Sequence, residues 1–240
     1  VFSNNHDEYD LKENIFFIFG GGRGERLKPI TNLIPKPMLK IANKPLLEHI
    51  ILKAKEYGFY KFVISVYYKK KIIKNYFKNG KNLGVKISYI EEKKPLGTAG
   101  ALSLIKKENN LPIIICNGDL MSEINFQSLL NYHNKNKSDF TVVTKEHNIQ
   151  NPFGTIKLRN KRIIAFKEKP INRSFICTGA HVMDIGILKN FKKNFRIDMP
   201  DLIKDLIYKK KKVLSYPIFE PWIDIGTYEN YKKAKLKNKK

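Results

Sequence analysis

Between Asn14 and Phe19 the chain reads Asn-Ile-Phe-Phe-Ile-Phe, and the next three residues are Gly20, Gly21 and Gly22. An apolar run this brief is too short for a helix and reads as a strand buried on both faces. Such a strand belongs to an α/β sheet, whose ligands sit at the carboxyl ends of the strands. The glycines stand at that end. They let the backbone turn tightly and approach a ligand closely, and their successive N–H groups make an anion-binding concavity. Arg26 and Lys36 follow at once and bring full positive charges to it. The order strand, glycine turn, cations predicts a phosphate site.

Spacing excludes two common phosphate loops. A Walker loop requires G-x-x-x-x-G-K-[ST], whereas Glu25-Arg26-Leu27 intervenes between Gly24 and Lys28, and Pro29 stands where Ser or Thr belongs. A dinucleotide fingerprint requires G-x-G-x-x-G, and the last position is Glu25 after Gly20-x-Gly22 and Leu27 after Gly22-x-Gly24.

The rest of the first half alternates. Leu46, Leu47, Ile50, Ile51 and Ala54 recur at helical spacing, with Asn43 as the expected cap and Gly58 as the expected stop. Lys61 to Val66 reads as a strand, Ile72, Ile73, Tyr76 and Phe77 mark a helix, and Lys86 to Ile90 is again extended. Ala99 to Lys106 is predicted helical, Pro112 to Cys116 extended, Phe126 to Lys135 helical and Phe140 to Thr144 extended. Strands alternating with helices predict an α/β fold with a mostly parallel sheet flanked by helices, in one domain. Beyond Lys145 the rhythm changes. Thr155 to Leu158 and Arg162 to Phe166 are separated by three residues, a hairpin spacing that mixes antiparallel strands into the sheet. Helices at about Met199 to Tyr208 and Tyr228 to Lys235 close the domain. Residues 1–13 are polar and read as a tail, or as a linker from an upstream domain.

A net charge of +24 raises the question of nucleic acid. Only six of the 46 basic residues are arginine, the side chain that reads base edges with two hydrogen bonds, and the lysines are scattered. The expectation is steering of anionic substrates and no specific nucleic-acid binding. No apolar run approaches the roughly 20 residues that span a bilayer, so no membrane segment is expected. Cys116 and Cys177 lack zinc-ligand spacing, and such sparse cysteine suits a reducing cytoplasm.

Gly21-Gly22-x-Gly24-x-Arg26-Leu27 followed by Pro35-Lys36-Pro37 resembles the signature of the sugar-1-phosphate nucleotidyltransferases, most of all the mannose-1-phosphate guanylyltransferase-like enzymes. Further blocks recur in the family's order: Leu96 to Gly100, Asn117-Gly118-Asp119, Phe153-Gly154, Glu168-Lys169-Pro170, Thr178-Gly179 and Trp222 to Thr227. The likeness covers about residues 14 to 235. It implies a Rossmann-like fold of the nucleotide-diphospho-sugar transferase type over residues 14–240. Residues 14–145 would form the nucleotide-binding half and residues 146–240 the sugar-phosphate-binding half. It implies condensation of a nucleoside triphosphate with a hexose- or aminosugar-1-phosphate to give an NDP-sugar and pyrophosphate.

The same resemblance assigns roles. Arg26, Lys36 and Asp119 would be catalytic, the two cations on the phosphates. Asp119 and Asp224 would hold Mg²⁺, an octahedral ion that binds phosphates and keeps several waters. Gly21, Gly22, Gly24, Arg26, Lys36, Glu92, Gly97 and Thr98 would bind the nucleotide. Gly154, Glu168, Lys169 and Gly179 would bind the sugar phosphate. An acid at Glu92 can accept from guanine's N1–H and exocyclic amine, which favours GTP. The alternatives are a uridylyl- or thymidylyltransferase of the same family, or a catalytically silent regulatory subunit with the same fold. Homo-oligomerisation, or fusion to an upstream domain, is a further expectation. The chain departs from the family at Glu25, where Thr is usual, at Cys177-Thr178-Gly179, where Asn-Ala-Gly is usual, and at His181, a place often held by Tyr. Glu25 must point away from the phosphates or pair with a neighbouring cation.

Overall fold

The computed structural model describes residues 10–237. Its central strand, β1 (Lys12–Phe19), has Phe16, Phe17 and Ile18 fully enclosed. It starts two residues ahead of Asn14, because Lys12 already pairs with Phe59. Most of the polar amino end, residues 1–9, lies outside the described residues.

The chain continues through β2 (Lys40–Ile41), β3 (Lys44–Pro45), α1 (Leu46–Lys55), β4 (Phe59–Val66), α2 (Lys70–Phe77) and β5 (Lys86–Glu91). Next come α3 (Gly97–Gly100), β6 (Ile113–Asn117), β7 (Leu120–Ser122) and α4 (Phe126–Lys135). The second half holds β8 (Phe140–Gln150), β9 (Thr155–Arg159), β10 (Arg162–Lys167), β11 (Ile171–Met183) and α5 (Met199–Tyr208). It ends with β12 (Val213–Ile218), β13 (Trp222–Asp224) and α6 (Tyr228–Lys237).

Seven strands form the main sheet in the order β12-β8-β11-β6-β1-β4-β5. β11 runs antiparallel to both neighbours and every other adjacent pair is parallel, so the expected mostly parallel mixed sheet of an α/β domain is present. Side chains of a strand alternate between faces, which explains why β1 is apolar throughout. Phe16 and Ile18 enter one core with Ile51 of α1, Phe77 of α2 and Leu129 of α4. Ile15 and Phe17 enter the other, with Leu202 and Leu206 of α5. Each such side chain contributes about 1.5–3 kcal/mol by leaving water. Among the described residues no helix is long and apolar enough to cross a membrane.

Three local expectations are corrected. Asn43 does not cap α1: Pro45 holds that position, and Asn43 sits at φ 63° in the turn between β2 and β3. The helix expected over Ala99 to Lys106 is only the four residues of α3 and a 3-10 segment, Ala101–Leu104. The amides of Ala99 and Gly100 donate to Ile197 O, and Ile105 is already extended, so the turn is held from outside and stops. The predicted hairpin forms as β9 and β10, but as a separate two-stranded sheet; the antiparallel member of the main sheet is β11. Gly58, in contrast, ends α1 as expected, at φ 83° with its N–H donating to Lys55 O.

Candidate active site

Segments far apart in sequence close around the carboxyl end of β1. Gly20 N donates to Ser65 O at the end of β4, and Gly118 N donates to Phe19 O, each at 2.9 Å. A Cβ on Gly118 would stand 2.4 Å from Phe19 O and 3.3 Å from Pro37, so only glycine lets the exit of β6 pass between β1 and the Pro35-Lys36-Pro37 turn. That turn is a 3-10 segment, Lys36–Met38, with Pro37 and Met38 buried. Locked this way, Lys36 forms an ion pair with Asp119, the side chains being 13% and 20% exposed. Gly24, at φ 65°, packs against the same turn: its Cβ would come within 3.1 Å of Lys36 Cβ.

Asp224 arrives from the far end of the chain. β13 pairs antiparallel with β7, and the register sets Asp224 opposite Leu120, the residue after Asp119. Burial raises the Asp224 carboxyl above the ordinary carboxylate range, the Asp119 charge adds to that, and the Lys36 and Arg26 charges oppose it. Arg26 reaches the same place. A Cβ on Gly226 would lie 2.6 Å from Asp224 Oδ2 and 3.1 Å from Arg26 Nη2. Arg26, Lys36, Asp119 and Asp224, from four segments, therefore converge. Glu25 turns aside and pairs with Lys28.

A cleft of about 320 Å³ opens beside this cluster, lined by Gly21, Gly22, Lys36, Glu92, Gly97, Thr98 and Asp119 among others. Gly24 and Arg26 are not among its lining residues. Glu92 is 8% exposed and accepts from Leu96 N at 3.0 Å. Burial raises its carboxyl, and the Leu96 N–H works against that shift. Gly21 is open to this acid, since a Cβ there would approach Glu92 Oε1 to 3.0 Å.

Asp224 lines a second cleft of about 640 Å³, together with His147, Ile176, Trp222, Asn230 and Lys233. None of Gly154, Glu168, Lys169 and Gly179 lines either cleft. Gly154 and Glu168 do meet, a Cβ on Gly154 falling 3.0 Å from Glu168 Oε2, on an arm open to solvent. Gly179, at φ 85°, lies against Asn117, at the seam between β6 and β11. His181 is buried in that seam; burial lowers its imidazole to about 3.

Sequence reasoning passed over Arg23, Ser65, Tyr67 and Asn117, all lining the first cleft. Ser65 and Asn117 stand at the carboxyl ends of the two strands flanking β1, and Tyr67 just beyond, so the strand-end rule would have found them. His147 and Lys233 carried no such signal.

The two aspartates fit a divalent metal. Among the described residues no cluster of three or more His, Cys, Asp or Glu stands ready to hold an ion. Two adjacent carboxylates, one raised partly by the other's charge, form a set of hard oxygen donors that a phosphate ligand and waters would complete.

The nucleotidyl transferase family model matches residues 16–240. The chain is 31% identical, over 90% of its length and 95% of the relative's, to a D-glycero-alpha-D-manno-heptose 1-phosphate guanylyltransferase of Aneurinibacillus thermoaerophilus. It is 33% identical, over 89% and 95%, to the enzyme of that name from Campylobacter jejuni. A solved structure described as a putative glucose-1-phosphate thymidylyltransferase from Bacillus anthracis has the same fold: TM-score 0.75, 23% identity, 93% of this chain and 95% of that one covered. With its glycine loop, its P-K-P turn and both aspartates carried on that fold, the chain belongs to the nucleotidyl transferase family.

Proposed function

We propose that the chain is a sugar-1-phosphate guanylyltransferase: it joins GTP to a hexose- or heptose-1-phosphate and releases pyrophosphate. The observation that carries this reading is the meeting of Arg26, Lys36, Asp119 and Asp224 between the two clefts. Two anions must approach one another for the reaction, so what a protein supplies is position and neutralised charge. The triphosphate lies along Gly21 and Gly22, whose backbone can approach it closely, with the base towards Glu92, Gly97 and Thr98. The sugar phosphate enters from the side of Trp222 and Lys233; Gly154, Glu168 and Lys169 on the arm, and Gly179 in the seam between β6 and β11, lie outside both clefts and are its further ligands by the family likeness alone.

In the reaction a phosphate oxygen of the sugar ester forms a bond to the α-phosphorus. The bond from that phosphorus to the oxygen bridging to the β-phosphate breaks, and its electron pair leaves with pyrophosphate. No protein nucleophile is needed. Lys36 neutralises the α-phosphate and Arg26 the charge that builds on the departing phosphates. Asp119 and Asp224 would hold Mg²⁺, which when bound supplies further charge neutralisation at the phosphate oxygens. The guanine preference is supported by the Glu92 carboxylate beside the cleft and by the names of the two guanylyltransferase relatives.

The test is pyrophosphate release with four nucleoside triphosphates against a panel of sugar-1-phosphates, with and without Mg²⁺. Release is expected with GTP and a manno-configured sugar or heptose phosphate, and only with the metal. Silence under every pairing would overturn the reading; a preference for UTP or dTTP would overturn the base assignment alone.

A further inference from the structure

Apart from the Leu96 N–H donated to Glu92, the wall of the nucleotide cleft formed by Leu96, Gly97 and Thr98 has little to hold it locally. α3 is four residues long, too short to be stable by its own hydrogen bonds, and Gly97 stands at φ 79°. Its support comes from a segment 100 residues later. Ile197 N donates to Leu96 O at 3.0 Å, and Ile197 O accepts from Ala99 N and Gly100 N at 3.0 and 3.1 Å. Asp198 Oδ1 then accepts twice from Thr98, from its N at 2.9 Å and from its Oγ1 at 3.3 Å. Thr98 Oγ1 in turn accepts from Met199 N at 2.8 Å, so the threonine caps the start of α5 while the aspartate holds the threonine. The fit is close. A Cβ on Gly97 would lie 2.5 Å from Ile197 O and 2.7 Å from Asp198 Oδ1, and one on Gly100 would lie 2.6 Å from Phe195 O.

We propose that Asp198 is a positioning residue for nucleotide binding: its carboxylate fixes Thr98, and with it the Gly97–Thr98 edge of the cleft, in the shape that receives base and ribose. The proposal rests on the reading of this cleft as the nucleotide site. Asp198 does not line the cleft and has no place in the chemistry. Its other charged neighbour, Arg196 Nη2 at 3.9 Å, is well exposed and too distant to compete with two hydrogen bonds to a carboxylate. The Thr98 hydroxyl, engaged on both sides by Asp198 and Met199, contributes to the cleft through the backbone it holds in place.

The experiment measures KM for GTP and for the sugar-1-phosphate separately, together with hydrogen exchange at the amides of residues 97–100. Asp198→Ala is expected to raise the triphosphate KM about tenfold, the size of a lost hydrogen bond to a charged group, to leave the sugar-phosphate KM within about twofold, and to speed exchange at the Thr98 amide. Asp198→Asn keeps an acceptor oxygen and is expected to bring the triphosphate KM back to within about threefold of wild type. Arg196→Ala leaves both Thr98 bonds intact and should change neither constant by more than about twofold. If Asp198→Ala does not fold, Thr98→Val removes the hydroxyl side of the clamp and should raise the triphosphate KM by about threefold to fivefold. A triphosphate KM unchanged in the variants, or equal rises in both constants that Asn fails to rescue, would overturn the proposal while leaving the functional reading intact. Wild-type protein that binds no triphosphate would overturn both, and the exchange measurement would still report whether the clamp exists.

Discussion

Strands β8 and β11 run side by side through two environments. From Phe140 to Thr144 and from Thr178 to Met183 they are almost wholly buried, flanked by β12 on one side and β6 on the other. From Glu146 to Gln150 and from Ile171 to Phe175 the same ladder continues into solvent, every residue exposed, and in the β9–β10 hairpin beyond every strand residue but Thr155 is exposed. The inner stretch holds its shape because side chains on both faces of the sheet are enclosed. The outer stretch has only its hydrogen bonds, which are worth far less net of water. Convergence of charge occurs against the inner, enclosed part of the sheet, whereas Gly154, Glu168 and Lys169 ride on the outer arm. On the function proposed, chemistry that depends on fixed distances falls to the enclosed region and recognition of the sugar to the open one.

The sharpest way to break this contrast is at Asp119. Asp119→Asn is expected to lower turnover by roughly 10² to 10³ while triphosphate binding, measured by calorimetry, changes far less. Wild-type turnover in that variant would remove the residue from the site.

Next in size is a paired substitution of glycine by alanine. In the inner region Gly118→Ala drives a Cβ into the Phe19 carbonyl, backbone that cannot step aside. A loss of about 2–3 kcal/mol is expected, seen as a melting temperature lower by roughly 4–10 °C. On the arm Gly154→Ala meets the ring of Phe166 and the end of Glu168, which are exposed side chains free to move. Stability there should change by less than about 0.5 kcal/mol, while the sugar-phosphate KM rises. Equal losses of stability in the two variants would mean that the arm is as rigid as the sheet.

The smallest effect is a pH dependence of the inner region. His181 is buried neutral with its imidazole lowered to about 3, its Nε2 lying 3.8 Å from Cys177 Sγ. The unfolded chain takes up this proton near pH 6.5, well before the folded one can. Stability is therefore full above pH 6.5 and falls as pH drops from there towards 3, by about 1.5–2 kcal/mol between pH 6.5 and 5. His181→Phe should flatten that part of the curve in denaturant titrations at the two pH values. A variant with the wild-type slope would show that other groups carry it.

Much of this was open to reading in the linear chain, because its signals are local. An apolar run of five beside three glycines announces a buried strand and the turn after it. Gly58 announces the end of α1, and the spacing of Leu46, Leu47, Ile50 and Ile51 announces the helix. Asn43 and Ala99 to Lys106 misled because local preference was overruled from outside, by the β2–β3 turn in one case and by Ile197 in the other.

Residue order alone settled which side chains carry charge, which glycines have room to turn, and how strands and helices alternate. The tertiary structure decided who meets whom. Asp224 stands beside Asp119 through the pairing of β13 with β7, Arg26 reaches Asp224, and Asp198 grips Thr98 across 100 residues. Nothing in the spacing of these residues encodes such meetings, because they are set by the packing of whole sheets and helices, in which every buried side chain has a share.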